Sequence, residues 1–248
     1  MTTSPTVAAI RTEGRLLARE PIALFWIIGF PSILLVLLGL IPSFREESAE
    51  LGGQSLIQLY VGTLVLLSMI VAAGQAMPEV LIGYRQRRVL RRLQTTPLGP
   101  ARLILAQAVV YAGAIVAAAV LCLAIGRVAF GAPLPQAPGA YLLTFLLALA
   151  AMLSVGAVVT AVAPNPAVGN VLAMAVLFSF MFTAGVWLPV QAMPDTLAQV
   201  VGYTPMGAAT EALNQATLGE FPDLVHLAVT AGWTVVLSLV AVRTFRWE

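Results

Sequence analysis

Residues 56–77, LIQLYVGTLVLLSMIVAAGQAM, contain no Arg, Asp or Glu. A run of that length and character supplies the ~20 helical residues needed to cross ~30 Å of hydrocarbon. Working outward, the same reading applies to 22–41, 104–125, 141–162, 170–189 and 224–242, and none of these spans holds an Arg, Asp or Glu either. The expected fold is an all-α integral membrane protein with six transmembrane helices.

Composition points the same way. The chain is 60% hydrophobic and 10% charged, with a mean hydropathy of +0.94, whereas soluble domains carry roughly 25% charged residues. The longest connection, 190–223, falls short of the ~40 residues below which a domain seldom folds unaided, so residues 1–248 are expected to form one transmembrane domain. Span 22–41 exceeds a signal-peptide core and runs into Ile41-Pro42-Ser43-Phe44 without a small-residue cleavage pattern, so it is expected to persist. Cys122 is the only cysteine and sits mid-span, which rules out an internal disulfide and suits a packing residue.

Orientation follows from the arginines, which supply all 13 basic charges. Arg11, Arg15, Arg19, Arg85, Arg87, Arg88, Arg91, Arg92, Arg102, Arg243 and Arg246 flank the spans on one side, against Arg45 and Arg127 on the other. Under the positive-inside rule this places both termini in the cytosol.

Four regions outside the spans carry distinct signals. Residues 5–20 place Arg11, Arg15 and Arg19 on one side of a helix and Val7, Ile10 and Leu17 on another. This predicts an interfacial helix with its arginines toward anionic headgroups, an ordinary solvated lead-in being the plainer reading. Pro21 marks the bend into the first span, and Pro31 a kink within it. In 78–103, a helix would bring Val89, Leu90 and Leu93 within one turn of each other, flanked by Arg85, Arg87, Arg88, Arg91 and Arg92, and would stop at Thr96-Pro97. A small apolar contact ringed by forked donors suits docking to a protein groove. Plain topological charge is the competing reading, and nucleic-acid binding is excluded because the segment is tethered between spans with Tyr84 its one aromatic. Residues 163–170, Ala-Pro-Asn-Pro-Ala-Val-Gly-Asn, predict a tight cytosolic turn. In 190–223, Thr204-Pro205 reads as a helix N-cap followed by Pro at the first helical position, with Pro194 opening an earlier turn. Two short external helices dipping back into the outer leaflet are expected.

Together these features carry a resemblance. The interfacial helix, six spans, the run Arg87-Arg88-Val89-Leu90-Arg91-Arg92-Leu93-Gln94-Thr95-Thr96-Pro97-Leu98, the stretch Gly185-Val186-Trp187-Leu188-Pro189 with Met193-Pro194, and Pro205-Met206-Gly207-Ala208-Ala209-Thr210-Glu211-Ala212-Leu213 resemble the type-two family of ABC transporter permeases. Within it they look most like the bacterial drug-exporter branch of the daunorubicin-resistance type. The resemblance implies a half-transporter in the bacterial plasma membrane that pairs with a second permease, as a homodimer or heterodimer, and with two copies of an ABC ATP-binding subunit. The cargo would be an amphipathic drug, antibiotic or lipid-like molecule. It further implies that 84–95 is the coupling helix seated in the ATP-binding subunit, with Arg85, Arg88, Val89, Leu90, Arg92, Leu93, Thr96 and Pro97 at the contact. Many relatives carry Glu and Gly where this chain has Gln86 and Arg88.

The residues bear out that division of labour independently. A Walker A loop needs a Lys to reach the phosphates, and this chain has none. It is therefore expected to be a transporter subunit without an ATPase site or cofactor, ATP and Mg being bound by the partner. His226 is the only histidine, so no H-E-x-x-H metal motif exists, and it suits an interfacial or packing role. An ion-driven secondary transporter would want Asp, Glu or His inside the spans, where the sequence has no Asp or Glu and Glu79 and Glu211 lie nearest. Polysaccharide or glycolipid export within the same family would favour rows of aromatics along the path, and the spans hold no Tyr or Trp series. The transport path is expected to include Gln75, Asn170 and Asn214 as interior polar groups, with Phe178 and Met181 from an adaptable apolar stripe on the fifth span.

Overall fold

The computed structural model describes residues 4–89 and 99–244. Among them nine α-helical elements carry the fold: α1 (Pro5–Ala18), α2 (Pro21–Gly39), α3 (Leu56–Gln86), α4 (Gly99–Phe130), α5 (Pro138–Val162), α6 (Pro166–Thr183), α7 (Asp195–Gly202), α8 (Pro205–Thr217) and α9 (Leu224–Thr244). Six of these, α2 to α6 and α9, are long and apolar enough to cross a membrane. Six crossings bring α1 and the C-terminal end of α9 to one end of the bundle, together with most of the arginines. A two-residue antiparallel hairpin, Glu47–Ser48 (β1) with Gln54–Ser55 (β2), closes the α2–α3 loop through Gly52 and Gly53 at positive φ. No periodicity in so short a pairing announces it.

The core is built around α3, which is buried along 83% of its most apolar stretch, against 11% for α6 and α9. Leu64, Val65, Leu66, Met69 and Ile70 have no solvent exposure. α3 packs against α2, α4, α5, α6 and α8, so its surroundings are protein on nearly every side.

Prolines shape the spans differently from a simple stop. In α2 the expected kink at Pro31 takes the form of a π-helical turn, Phe25–Gly29, where the N–H of Phe30 reaches back five residues to the Phe25 carbonyl. In α3 the same device spans Ile70–Ala76, with the Met77 N–H bonded to the Ala72 carbonyl. In that register residue 78 would serve the Ala73 carbonyl, and Pro78 has no N–H to give. The helix therefore tolerates Pro78 and continues to Gln86, nine residues beyond the expected end of the second span at 77. The freed Ala73 carbonyl faces α5 at Gly156, where a Cβ would collide with its oxygen.

Other boundaries shift for local reasons. Pro166 begins α6 instead of interrupting it, because at the first helical position its missing N–H costs nothing. The Asn165 side chain accepts from the Val168 N–H at 3.0 Å. The fifth span is thus Pro166–Thr183 rather than 170–189, and Gly185 at φ 82° follows its end. Thr204 caps α8 as expected, its Oγ1 accepting from the Gly207 N–H at 3.1 Å with Pro205 next in line. α8 is wedged against α5, α9 and α3 at the end opposite the termini, burying Met206, Ala208, Ala209, Ala212, Leu213 and Ala216. α1 is capped by Ser4 and ends before Pro21, which opens α2. Its protein-facing side is Ala9 and Glu13, however, with Val7 half exposed at 53%. Of the expected apolar side, Val7 is exposed, Ile10 is half-buried and Leu17 packs partly against the core, while Glu13 adds a buried polar contact on a neighbouring face.

Candidate functional site

Beside the π turn of α3 lies an open groove of about 320 Å³ between α3 and α6, toward the arginine-rich end, with Gln75 half-buried and Glu79 and Asn170 exposed. Gln75, Glu79, Ile82, Pro166, Ala167, Gly169, Asn170 and Ala173 line it. Two primary amides and one carboxylate thus face an otherwise apolar wall of Ile82, Pro166 and small residues. Such a surface offers hydrogen bonds and one negative charge to a polar head while leaving apolar area for the rest of a ligand. Gln75 and Asn170, both expected on the path, are brought together here. Glu79 was not among the expected path residues. It lies four positions after Gln75 on the same helical face, just beyond the expected end of the second span at 77.

The other expected path residues fall elsewhere. Asn214 lies on α8 in a polar groove with Gln58, Thr63, Gln191, Thr210 and Thr217. Gln58 stands 17 residues before Gln75 on α3, which at 1.5 Å per residue is ~25 Å away. In this second cluster Gln54 Nε2 donates to Asn214 Oδ1 at 3.1 Å, and Gln191 Nε2 donates to Glu211 Oε1 at 3.1 Å. Phe178 is exposed, in line with Val171, Met174 and Phe182 along the outer face of α6. Met181, almost one turn beyond Phe178, is half-buried against the core.

Burial raises the Glu211 carboxyl above its ordinary range. Its protonated form is therefore favoured in the fold, a contribution fully present below the unfolded value and lost as pH rises through the folded one. Detergent-solubilised protein should accordingly gain thermal stability from this site on acidification. Glu211→Gln, which keeps an acceptor for Gln191, should melt higher than the parent at neutral pH and converge with it once the carboxyl is protonated in both folded and unfolded chains. A gap between the two that widens on acidification would contradict the assignment.

At the arginine-rich end the residues expected to couple to a partner separate. Arg85 is turned inward: its guanidinium donates to the Thr160 carbonyl at 3.0 Å and to the Ala163 carbonyl, closing the C-terminal end of α5. α3 ends at Gln86, and Arg88 adopts a left-handed φ of 56° with its N–H on the Arg85 carbonyl at 3.0 Å. Residues 84–86 therefore belong to α3, and the chain turns before Val89, which is half-buried. Leu90, Arg92, Leu93, Thr96 and Pro97 lie outside the described residues.

Five apolar spans and a central one that carries a π turn, with an open groove beside that turn, define a polytopic helical membrane protein. The chain belongs to the ABC-2 family of transporter proteins, whose family model matches residues 43–243, from the α2–α3 loop almost to the end of α9. No curated protein matches it. As a family member the chain is a membrane permease component of an ABC transporter and not the ATPase, and membership implies pairing with an ABC ATP-binding subunit.

Proposed function

We propose that this permease is a half-transporter of the drug-exporter branch, moving an amphipathic drug, antibiotic or lipid-like molecule out of a bacterial cell. Two copies of an ABC ATP-binding subunit and a second permease, a copy or a homologue, complete the machine. The arginine-rich end faces the cytosol and the α7–α8 end faces outward, as the arginine distribution favours. The observation that carries the reading is the groove joining Gln75, Glu79 and Asn170 beside α6, whose outer face continues as Val171, Met174, Phe178 and Phe182. A polar head held by the amides and an apolar body laid along that stripe is the binding mode of an amphipath.

ATP and Mg bind the partner, because this chain has no Lys to hold the phosphates. The permease contributes the binding surface, the barrier and the segment after Gln86 that receives the conformational change. The outer cluster of Gln54, Gln191, Glu211 and Asn214 lies where a released molecule leaves.

The test uses cells expressing the permease with its ATP-binding subunit and loaded with an amphipathic rhodamine-type dye. Efflux should require an intact Walker lysine in the partner, and Asn170→Phe, which fills the groove, should slow it about tenfold, equivalent to ~1.4 kcal/mol, without lowering membrane levels. Efflux that survives loss of the Walker lysine and stops with a protonophore would overturn the reading in favour of an ion-driven transporter.

A further inference from the structure

We infer that Glu13 is a positioning residue that pins α1 to the end of α3 from which the coupling segment departs, so that α1 and that segment's root move as one body. α1 carries Arg11, Arg15 and Arg19 on its exposed side, yet Glu13 is only 6% exposed. The Tyr84 hydroxyl donates to both of its carboxylate oxygens, at 3.0 and 3.2 Å, and Gln107 Nε2 donates to Oε2. One side chain thus joins three elements, α1, α3 and α4. Tyr84 stands two residues before α3 ends at Gln86 and four before the left-handed turn at Arg88.

Chemistry favours a pin over a packing contact. A buried carboxylate is tolerated only with donors on it, and removing it would strand the Tyr84 hydroxyl and the Gln107 amide in an apolar setting. Ala9, the other buried residue of α1, offers one methyl and no direction. Leu17 packs partly against the core beside it, and the hydrogen bonds add the directional contact that fixes how α1 sits on the bundle. Burial also raises the Glu13 carboxyl above its ordinary range, the Tyr84 bond opposing that shift, so an uncharged amide should hold the joint as well.

The consequence for coupling rests on the proposed docking of the segment after Gln86 to an ATP-binding subunit. A displacement of that segment would be carried into α1, and through Gln107 into α4, as a rigid movement.

The experiment places spin labels at Arg15→Cys and Gln86→Cys, both exposed, in a Cys122→Ala background, and measures their separation in nanodiscs. Measurements are made on the permease alone and on the complex, nucleotide-free and vanadate-trapped. The parent should give one narrow distance, unchanged across all states. Glu13→Gln should keep it, as should the exchange Glu13→Gln with Gln107→Glu, which restores a donor–acceptor pair. Glu13→Met, which fills the space without accepting a bond, should broaden the distribution at least twofold, most of all in the trapped complex. A narrow distance in the Met variant, or a parent distance that changes on trapping, would overturn the proposal. Loss of the ATP-binding subunit on purification of the parent would instead count against the docking, while the distances in the permease alone would still judge the pin.

Discussion

Replacing Leu90 and Leu93 together with Asp should leave the permease in the membrane at its normal level and topology, yet abolish its retention of the ATP-binding subunit. If Val89, Leu90 and Leu93 seat in a partner groove, two carboxylates there have neither water nor counter-charge. A buried unpaired charge costs about 3–5 kcal/mol, a hundredfold or more in affinity. The arginines that set orientation are untouched, so insertion should not change. Co-purification of the two subunits and vanadate-sensitive ATP hydrolysis by the product provide the measurement. An intact, active complex carrying both substitutions would show that the basic segment is only a tether and that the partner docks elsewhere.

The second large effect is expected inside the bundle, at Gly156 of α5. A Cβ there would meet the Ala73 carbonyl oxygen, a backbone atom in the π-helical turn that cannot swing aside as a side chain would. Pro78 has deprived that carbonyl of its N–H, and the close approach of a Cα–H is the contact left to it. Gly156→Leu adds a whole side chain to this contact. Overpacking of a tight core typically costs ~1–3 kcal/mol, and here backbone must move as well. We expect the variant to lose most of its monodisperse yield and to melt well below the parent. Gly62→Leu, on α3 where an added Cβ would have no neighbour within 4 Å, should be far milder. Equal behaviour of the two would remove the α3–α5 approach from the account of the fold.

Such effects locate the boundary between what could be read in the linear chain and what could not. The absence of Arg, Asp and Glu from six long stretches was enough for the fold class, since each charge in hydrocarbon carries a solvation penalty that no local contact repairs. Helix starts set by short-range chemistry were equally legible: Thr204-Pro205 and Pro21 act within one turn. Gln75 and Asn170 stood out as polar side chains in apolar spans, and both line one open groove, Gln75 half-buried and Asn170 exposed. The reading failed where a proline could be tolerated in more than one way. Pro166 starts a helix, Pro78 rides on a π turn, and the difference depends on neighbours distant in sequence, Gly156 and Met152 beside Ala73 and Gly74. With the second span ended at 77, Glu79 was not grouped with Gln75, and the nine residues to Gln86 were assigned to the connection instead of to α3.

By itself, then, the sequence determined the class, the six crossings and the absence of a phosphate-gripping lysine, because hydrophobic partition and residue chemistry are local properties summed along the chain. Tertiary structure alone decided that α3 is the buried centre, that Arg85 closes the end of α5, that Asn214 lines a different groove from Gln75, and that Glu13 turns inward to Tyr84 and Gln107. Each of these depends on which helices become neighbours. A polar side chain shows in the sequence that it needs a partner, but only packing supplies the partner's identity.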